Sequence, residues 1–428
     1  MKKLANWIVA ILFIICMFCI MRYLQNQNLT SVESETNEDV ITITVLAGQS
    51  SSDAGIEDMI DEALAEKFPN VQLEWECVDW GEKFDTQMQV RIAAGDIPDI
   101  MVGKAQDIET YAAEGNLAPI STNCTKRIKE EALQSVKKDG VVYGLPYNVL
   151  YQGVIYNKNI FEHYDLKPPT TRKELEDIEL ILEKNQTTPF AAHFWESWMV
   201  GNMTMQFFMN DIFRDRPNWG DLFRTGEESF FNNNQMKDCL LQNQNILAHS
   251  WDDAMMIDQY ECDQRFFEGE AAMYLTGSWS LQLINQYNEN LNQEYGIFPY
   301  PNQKGNSNLL RETNMTFMKS STTQYDDLID QILEELVTNE ELILDILDFT
   351  QAFSTIKGIE SKYQRCIEED VNWYEQNNQV MDVSTGNKEL IWSFQNDLAV
   401  KQQEWLQGKI ALEDVLHYAD DQRMESSQ

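Results

Sequence analysis

The sequence is poor in basic residues and in histidine, which excludes several classes of function. Its 428 residues hold 32 Lys and Arg against 70 Asp and Glu, a formal net charge of -38 at pH 7. Nucleic acid and anionic lipid headgroups both attract clustered Lys and Arg, so this balance argues against either as a partner. The four histidines are scattered along the chain. We therefore expect neither a metal site nor a cofactor.

The sequence motifs of common catalytic sites are also missing. The chain contains no nucleophile elbow, dinucleotide-binding glycine pattern, Walker-type phosphate loop or His-Glu-x-x-His. Seventy acidic residues guarantee accidental carboxylate pairs, so such pairs do not by themselves indicate a glycosidase. Five of the seven cysteines lie outside the N-terminal apolar run, at wide spacings that predict buried small side chains with one disulfide at most. We expect a protein that is not an enzyme.

The N-terminus predicts attachment to a membrane. Lys2 and Lys3 precede an apolar run that reaches Met21 and is long enough to cross a bilayer. No A-x-A-like cleavage site ends this run, and neither Cys16 nor Cys19 follows a small residue as in a lipoprotein signal. Residues 1–21 are thus expected to form an uncleaved anchor, with a degenerate lipidation signal as the alternative. The polar residues 22–39 predict a flexible linker.

Strand and helix patterns alternate after the linker. Residues 40–46 predict a β-branched strand, 56–68 an amphipathic helix and 71–78 a second strand, which is the opening of an α/β domain. Further helices are expected at 82–94 and 107–114, with a buried strand at 100–102. The length of the chain predicts two domains.

The second half of the sequence contains longer predicted elements. A hydrophobic strand is expected at 149–156, and Thr171 with Glu174 form a capping box that begins a helix. The polar and aromatic stretch 211–244 predicts loops and short helices. Helices are expected at 326–336, at 340–353 and at about 388–406.

Three sequence motifs occur in order after the linker. One is Gly95-Asp-Ile-Pro-Asp-Ile, and another is Asp139-Gly-Val-Val-Tyr-Gly-Leu-Pro-Tyr followed by Val154-Ile-Tyr-Asn-Lys. A third is Phe266-Phe-Glu-Gly-Glu-Ala-Ala-Met, which ends in Gly277-Ser-Trp279. Together they resemble the extracellular solute-binding proteins of ABC importers, in particular the carbohydrate-binding family that includes maltose-binding protein. The resemblance covers nearly all of the chain after the linker.

The resemblance implies an α/β, two-lobed periplasmic-binding-protein type II fold behind the N-terminal membrane anchor. The first lobe would combine residues 40–148 with 302–348, and the second lobe 153–298 with 354–428. Hinge crossings are expected near 149–156, 298–301 and 350–356. A ligand would bind between the lobes, which close around it.

Aromatic residues are the main candidates for the ligand site, since a sugar ring offers an apolar face and a rim of hydroxyls. Trp279 stands at the end of a predicted strand, where the family has a stacking aromatic. Trp195 and Trp198 are three residues apart, so one can face the ligand while the other packs inward. Tyr147 lies near the first hinge and carries a hydroxyl. Burial in the core is the alternative for the three tryptophans.

Other candidates follow predicted strands, at the ends where open α/β sheets bind ligands. They are Gln49 and Ser50, Trp80, Lys104 and Gln106, together with Trp392 at the head of the last predicted helix. Simple turns, a solvated lysine and a packed tryptophan are the alternatives. Maltose-binding relatives carry an aromatic and an acid after Pro-Asp, where this chain has Gly103 and Gln106, so a malto-oligosaccharide ligand is not expected.

The resemblance implies a monomeric substrate-binding component of an ABC importer at the extracytoplasmic face of a bacterial membrane. It would capture a carbohydrate by hinge closure and deliver it to the permease subunits. Two alternatives stay open: the same fold binding a peptide or a cationic small molecule, and a surface protein that senses a ligand.

Overall fold

The computed structural model describes residues 40–49, 54–79, 82–105, 107–284, 293–360, 366–385 and 392–425. The predicted anchor and linker lie outside these residues. In the part of the chain that is described, no helix combines the length and the apolar composition needed to cross a membrane.

The described residues contain thirteen strands: β1 (Ile41–Gln49), β2 (Val71–Asp79), β3 (Ile100–Gly103), β4 (Leu117–Ala118), β5 (Lys137–Lys138), β6 (Val141–Val142), β7 (Gly144–Asn157), β8 (Thr188–Ala191), β9 (Ala271–Gly277), β10 (Tyr295–Phe298), β11 (Leu309–Ser320), β12 (Phe353–Ser354) and β13 (Val380–Asp382). Eleven of them form one sheet in the order β2-β1-β3-β11-β7-β9-β8, in which shorter strands pair with β7 and β11. Strands β5 and β6 form a separate two-stranded sheet.

Helices cover both faces of this sheet. They are α1 (Ile56–Ala65), α2 (Glu82–Ala94), α3 (Asp107–Ala113), α4 (Thr122–Thr125), α5 (Glu130–Gln134), α6 (Lys158–His163), α7 (Arg172–Lys184), α8 (Ser197–Phe208), α9 (Trp219–Thr225), α10 (Asn234–Ala248), α11 (Gln259–Phe267), α12 (Asp326–Leu336), α13 (Glu340–Thr350), α14 (Glu368–Gln376), α15 (Trp392–Leu406) and α16 (Leu412–Glu425). A π-helical turn, Met209–Phe213, extends α8, and a 3-10 helix, Ser278–Leu283, follows β9.

Local patterns account for most of these elements. Helix α1 buries Ile56, Ile60 and Leu64 at helical spacing. Helix α7 begins with the predicted capping box, in which the Thr171 side chain accepts from the Glu174 backbone N–H and the Glu174 carboxylate accepts in return. The predicted helices and strands up to residue 114 are confirmed.

One prediction from the second half of the sequence is wrong. The stretch 211–244 contains most of α10, a helix of 15 residues whose buried Met236, Cys239 and Leu240 are separated by polar residues that hid its apolar face. The five cysteines in the described residues are free, and Cys77 is exposed, which corrects its predicted burial. Helix α16 was not predicted.

The long strands β7 and β11 join the two halves of the sheet. From Gly144 to Gln152, β7 pairs with β11, and from Gln152 to Tyr156 it pairs with β9. Every residue of β7 is buried, which is typical of a strand covered on both faces. Strand β7 includes the whole segment 149–156 in which the first hinge crossing is expected.

Residues 302–311 pack against the second lobe. The Asn302 carbonyl accepts from the Arg172 N–H at 3.1 Å, the Asn308 N–H donates to Oδ1 of Asn210 at 2.7 Å, and Leu309 pairs with Val380. Contacts with the second half of the sheet thus continue past the expected crossing at 298–301, as far as Leu309.

Candidate functional site

The carboxyl ends of parallel strands bring the predicted loops to one edge in each half of the sheet. Val45 to Ala47 of β1 pair with Ile100 to Val102 of β3, so Gln49 and Lys104 follow neighbouring strands. Phe190 and Ala191 of β8 likewise pair with β9, which ends two residues before Trp279. Ligands of open α/β sheets bind at such edges.

Trp198 and Trp279 are brought into contact with each other. Their ring centroids lie 6.2 Å apart in an edge-to-face arrangement. The Trp279 indole lies against Gly277, where a Cβ would come within 2.0 Å of the ring, so only glycine permits this position. Both tryptophans are half-buried, and the Trp279 Nε1 has no hydrogen-bond partner among the described residues.

The 3-10 helix that carries Trp279 is attached to the hinge and to the first lobe. The Ser278 hydroxyl accepts from the Tyr151 N–H of β7 at 3.1 Å. The Gln282 side chain donates to the Thr350 carbonyl at the end of α13, at 3.3 Å. Trp279 therefore lies where the second lobe meets the crossing strands.

Trp195 is 66% exposed and has no aromatic contact among the described residues. Its carbonyl accepts from the Gln403 side chain at 3.0 Å, which holds the loop while the ring faces solvent. Trp198 instead packs against the hydrophobic core and donates to Glu196 through Nε1 at 3.2 Å. The two side chains thus diverge, with Trp195 exposed and Trp198 inward.

Buried ionisable groups support the tryptophan pair. His193 is fully buried, and its Nδ1 lies 3.0 Å from Oε2 of Glu196. Burial opposes ionisation of Glu196, but its contacts with His193, with Trp198 and with the Gln259 N–H outweigh burial and lower its pKa. Asp263 is fully buried near Ser280, and burial raises the pKa of its carboxyl to about 8.

A row of polar side chains crosses the hinge between the lobes. Lys104, after β3, forms an ion pair of 2.6 Å with Glu312 of β11, which is only 5% exposed. Glu312 also accepts from Gln152 of β7 at 2.5 Å, and the Gln152 amide oxygen accepts from Asn202 of α8 at 3.1 Å. Gln206 continues the row, donating to Asn202 at 3.1 Å and to the Thr276 carbonyl of β9 at 3.4 Å.

This row changes the interpretation of Lys104 and adds residues that sequence reasoning missed. Lys104 was expected to be a ligand contact or a solvated lysine, and it is an ion-paired side chain at the hinge. Glu312, Gln152 and Asn202 were not predicted. One signal was present in the sequence, because Gln152 lies in a largely apolar buried strand, and a buried amide needs partners.

The burial of Tyr147 corrects its predicted role as a ligand contact. Its side chain is completely buried, and its ring packs edge-to-face on Phe317 at 5.8 Å. Burial raises the pKa of its hydroxyl. Because β7 begins at Gly144, the alternation of the strand directs Tyr147 away from the face that carries Asn148 and Gln152.

A cleft in the first lobe lies beside the hinge. Gln49, Asn148, Asn314 and Thr350 are among its lining residues. The Gln49 amide donates to Glu57 of α1 at 2.7 Å. The predicted candidates Ser50, Trp80 and Gln106 lie outside the described residues, as does the side chain of Trp392. Over the described ranges, no cluster of three or more His, Cys, Asp or Glu could hold a metal ion.

Sequence comparison finds relatives among binding proteins. A 28% identical ABC transporter extracellular-binding protein of Pyrococcus horikoshii, itself uncharacterized, aligns over 58% of this chain and 58% of its own length. The multiple sugar-binding protein of Streptococcus mutans is 24% identical over 69% of this chain and 70% of its own length. The chain thus spans little more than half of the first relative and about two thirds of the second.

The fold is shared with solved structures. A solute-binding protein in complex with raffinose matches 90% of this chain and 99% of its own chain, with a TM-score of 0.74 at 17% identity. This likeness shows the two-lobed α/β fold. The family model for bacterial extracellular solute-binding proteins matches residues 47–342, well over half of the sequence. The chain therefore belongs to the bacterial extracellular solute-binding protein family.

Proposed function

We propose that the chain is the substrate-binding component of an ABC importer and that it captures a carbohydrate between its two lobes. The observation that carries this proposal is the contact of Trp198 with Trp279 beside the buried amides of Gln152 and Asn202. Aromatic faces suit the apolar face of a sugar ring, and amides suit its hydroxyls.

The mechanism is differential binding to two conformations. A ligand that contacts both lobes stabilises the closed state over the open state, and closure presents a surface to the permease. Strands β7 and β11 provide the hinge, because β7 pairs with β11 up to Gln152 and with β9 from Gln152 onward. The lobes we propose are residues 40–148 with 312–348, and 153–311 with 354–428.

Binding occurs without chemical conversion of the ligand. Glu312, on the crossing strand β11, is already held by Lys104 and Gln152 and has no second carboxylate arranged opposite it among the contacts described. A glycosidase needs two carboxyl groups at a defined separation across the scissile bond. The proposed protein therefore holds and releases its ligand.

The N-terminus retains the protein at the extracytoplasmic face of the membrane, as a monomer. The apolar residues 1–21 anchor it without cleavage, and residues 22–39 are the tether. Mass spectrometry of the membrane-extracted protein tests this proposal. A mature chain that begins at an acylated Cys16 or Cys19 would replace the anchor with a lipid.

Calorimetry against a panel of ligands tests the proposed function. The panel contains raffinose, stachyose, maltotriose, chitin oligosaccharides, short peptides and the cations arginine and spermidine. We expect a saturable heat of binding with at least one oligosaccharide and none with the peptides or cations. Binding of a peptide or a cation alone would reject the carbohydrate assignment. A ligand sensor would bind sugar but would fail to crosslink to a permease in membranes.

A further inference from the structure

The first-lobe cleft contains a buried acceptor without a partner. Asn148 lies on β7, is 0% exposed and lines this cleft. Its Nδ2 makes only a long contact of 4.0 Å with the Met315 sulfur, and its Oδ1 has no hydrogen-bond partner among the described residues. Buried amide oxygens are nearly always paired, so a donor from outside the chain is expected here.

The backbone opposite Asn148 is strained. Asn148 pairs with Asn314 of β11, and the next residue, Met315, has a left-handed φ of 46° inside the strand. This conformation is unfavourable for a side chain such as methionine, and strain of this kind is concentrated at ligand sites and hinges. Met315 and Asn314 both line the same cleft.

The remaining lining indicates the charge of the ligand. The cleft combines the apolar Ala47, Ile56 and Trp75 with the amide of Gln49, which is attached to the Glu57 carboxylate. Among the described residues that line the cleft there is no Lys, Arg or His. A carboxylate or phosphate group would meet Glu57 and would offer no proton to Asn148, whereas a hydroxyl can donate.

We propose that the Oδ1 of Asn148 accepts a hydrogen bond from a hydroxyl of a neutral sugar bound in this cleft, and that the Glu57 carboxylate disfavours an acidic sugar there. This inference rests on the proposed function and adds a residue and a charge preference to it.

Two substitutions of buried asparagines test the proposal. Asn148→Leu keeps the branching of the side chain but removes the unpaired oxygen, so we expect a higher melting temperature without ligand. Its affinity for the sugar that binds the unaltered chain should fall by about tenfold or more. Asn210→Leu is the matched control, because Asn210 is buried in the second lobe and its Oδ1 accepts from the Asn308 N–H at 2.7 Å. It should melt earlier and keep its affinity.

The outcomes separate this inference from the function it rests on. If the unaltered chain binds raffinose or another neutral oligosaccharide and Asn148→Leu binds it equally well, Asn148 is not a ligand contact. Asn148→Ala gives the same comparison if the leucine variant does not fold. Equal affinity of the unaltered chain for a neutral sugar and for a galacturonate oligosaccharide would overturn the charge preference. If no sugar of the panel binds the unaltered chain, the proposed function fails and this inference with it.

Discussion

The position of Trp279 depends on Gly277, two residues before it. Its indole lies on the bare backbone of Gly277, and its 3-10 helix is held by the Tyr151 N–H and the Thr350 carbonyl. The sequence predicted a tryptophan at the end of a strand. It did not predict Trp198 as its neighbour, since the two residues are 81 positions apart and meet only through the pairing of β8 with β9.

Removing the Trp279 ring should weaken binding without unfolding the protein. We expect Trp279→Ala to cost roughly 1–3 kcal/mol of binding free energy, because the sugar loses its stacking surface. Calorimetry with the sugar that binds the unaltered chain measures this change. Trp373→Ala is the control, because Trp373 is exposed on α14 and packs on Tyr374 alone among the described rings. Unchanged affinity in the folded fraction of Trp279→Ala would make this ring a core residue.

Asp263 should make stability depend on pH. Burial raises its pKa from 3.8 to about 8, so between these values the folded protein binds a proton that the unfolded chain releases. The stability that the protonated carboxyl of Asp263 contributes is therefore fully present below pH 3.8 and is lost as the pH rises towards 8. Asp263→Asn keeps the shape and removes the titration.

The measurement for Asp263 is urea unfolding at intervals from pH 4 to pH 9. The difference in free energy of unfolding between Asp263→Asn and the unaltered chain should grow in favour of the variant as the pH rises. The buried Glu179, with a pKa raised by burial to about 7, contributes to both proteins and cancels. A difference that stays constant with pH would mean that Asp263 is not protonated in the folded state.

At the scale of elements, the polar row ties strands of both lobes to the hinge. Lys104 reaches β11 from the end of β3, and Gln152 connects β11 to α8. The strands themselves were predictable, because apolar alternation and capping residues act within a few positions. The row was not predictable, because Lys104 and Glu312 are 208 positions apart and only strand pairing joins them.

Removing one partner of the Lys104–Glu312 ion pair should lower the free energy of unfolding more than removing both partners. Lys104→Met leaves the nearly buried Glu312 carboxylate without its counter-charge, and we expect a loss of about 3 kcal/mol in the free energy of unfolding. Lys104→Met combined with Glu312→Leu should lose clearly less, because no charge remains buried. Urea unfolding of both single variants and the double variant measures the coupling. Additive losses would show that Lys104 and Glu312 do not interact.

At the scale of the whole molecule, function depends on one sheet that serves two lobes. Strands β7 and β11 pair with the first-lobe strands at one end and with second-lobe strands at the other. A relative motion of the lobes must therefore be concentrated in these two strands and in the short β12, which pairs with Val149. This arrangement suits hinge closure.

Ligand binding should both close the two lobes and stabilise the folded protein. At a sugar concentration of 100 times the dissociation constant, we expect the free energy of unfolding to rise by about 2.7 kcal/mol. Small-angle scattering of the same sample should show a smaller radius of gyration than without ligand. Trp279→Ala at the same sugar concentration should show a smaller rise in stability. Stabilisation with an unchanged radius would contradict closure.

The sequence by itself determined the α/β class, the early strands and helices, the capping box of α7 and the family, because these depend on local periodicity and on motifs read in order along the chain. Only the tertiary structure decided that Tyr147 is buried while Asn148 lines the cleft, that Lys104 is ion-paired, and that Asn308 contacts Asn210. Strand register and long-range pairing set these facts, and a shift of one residue reverses the direction of a side chain.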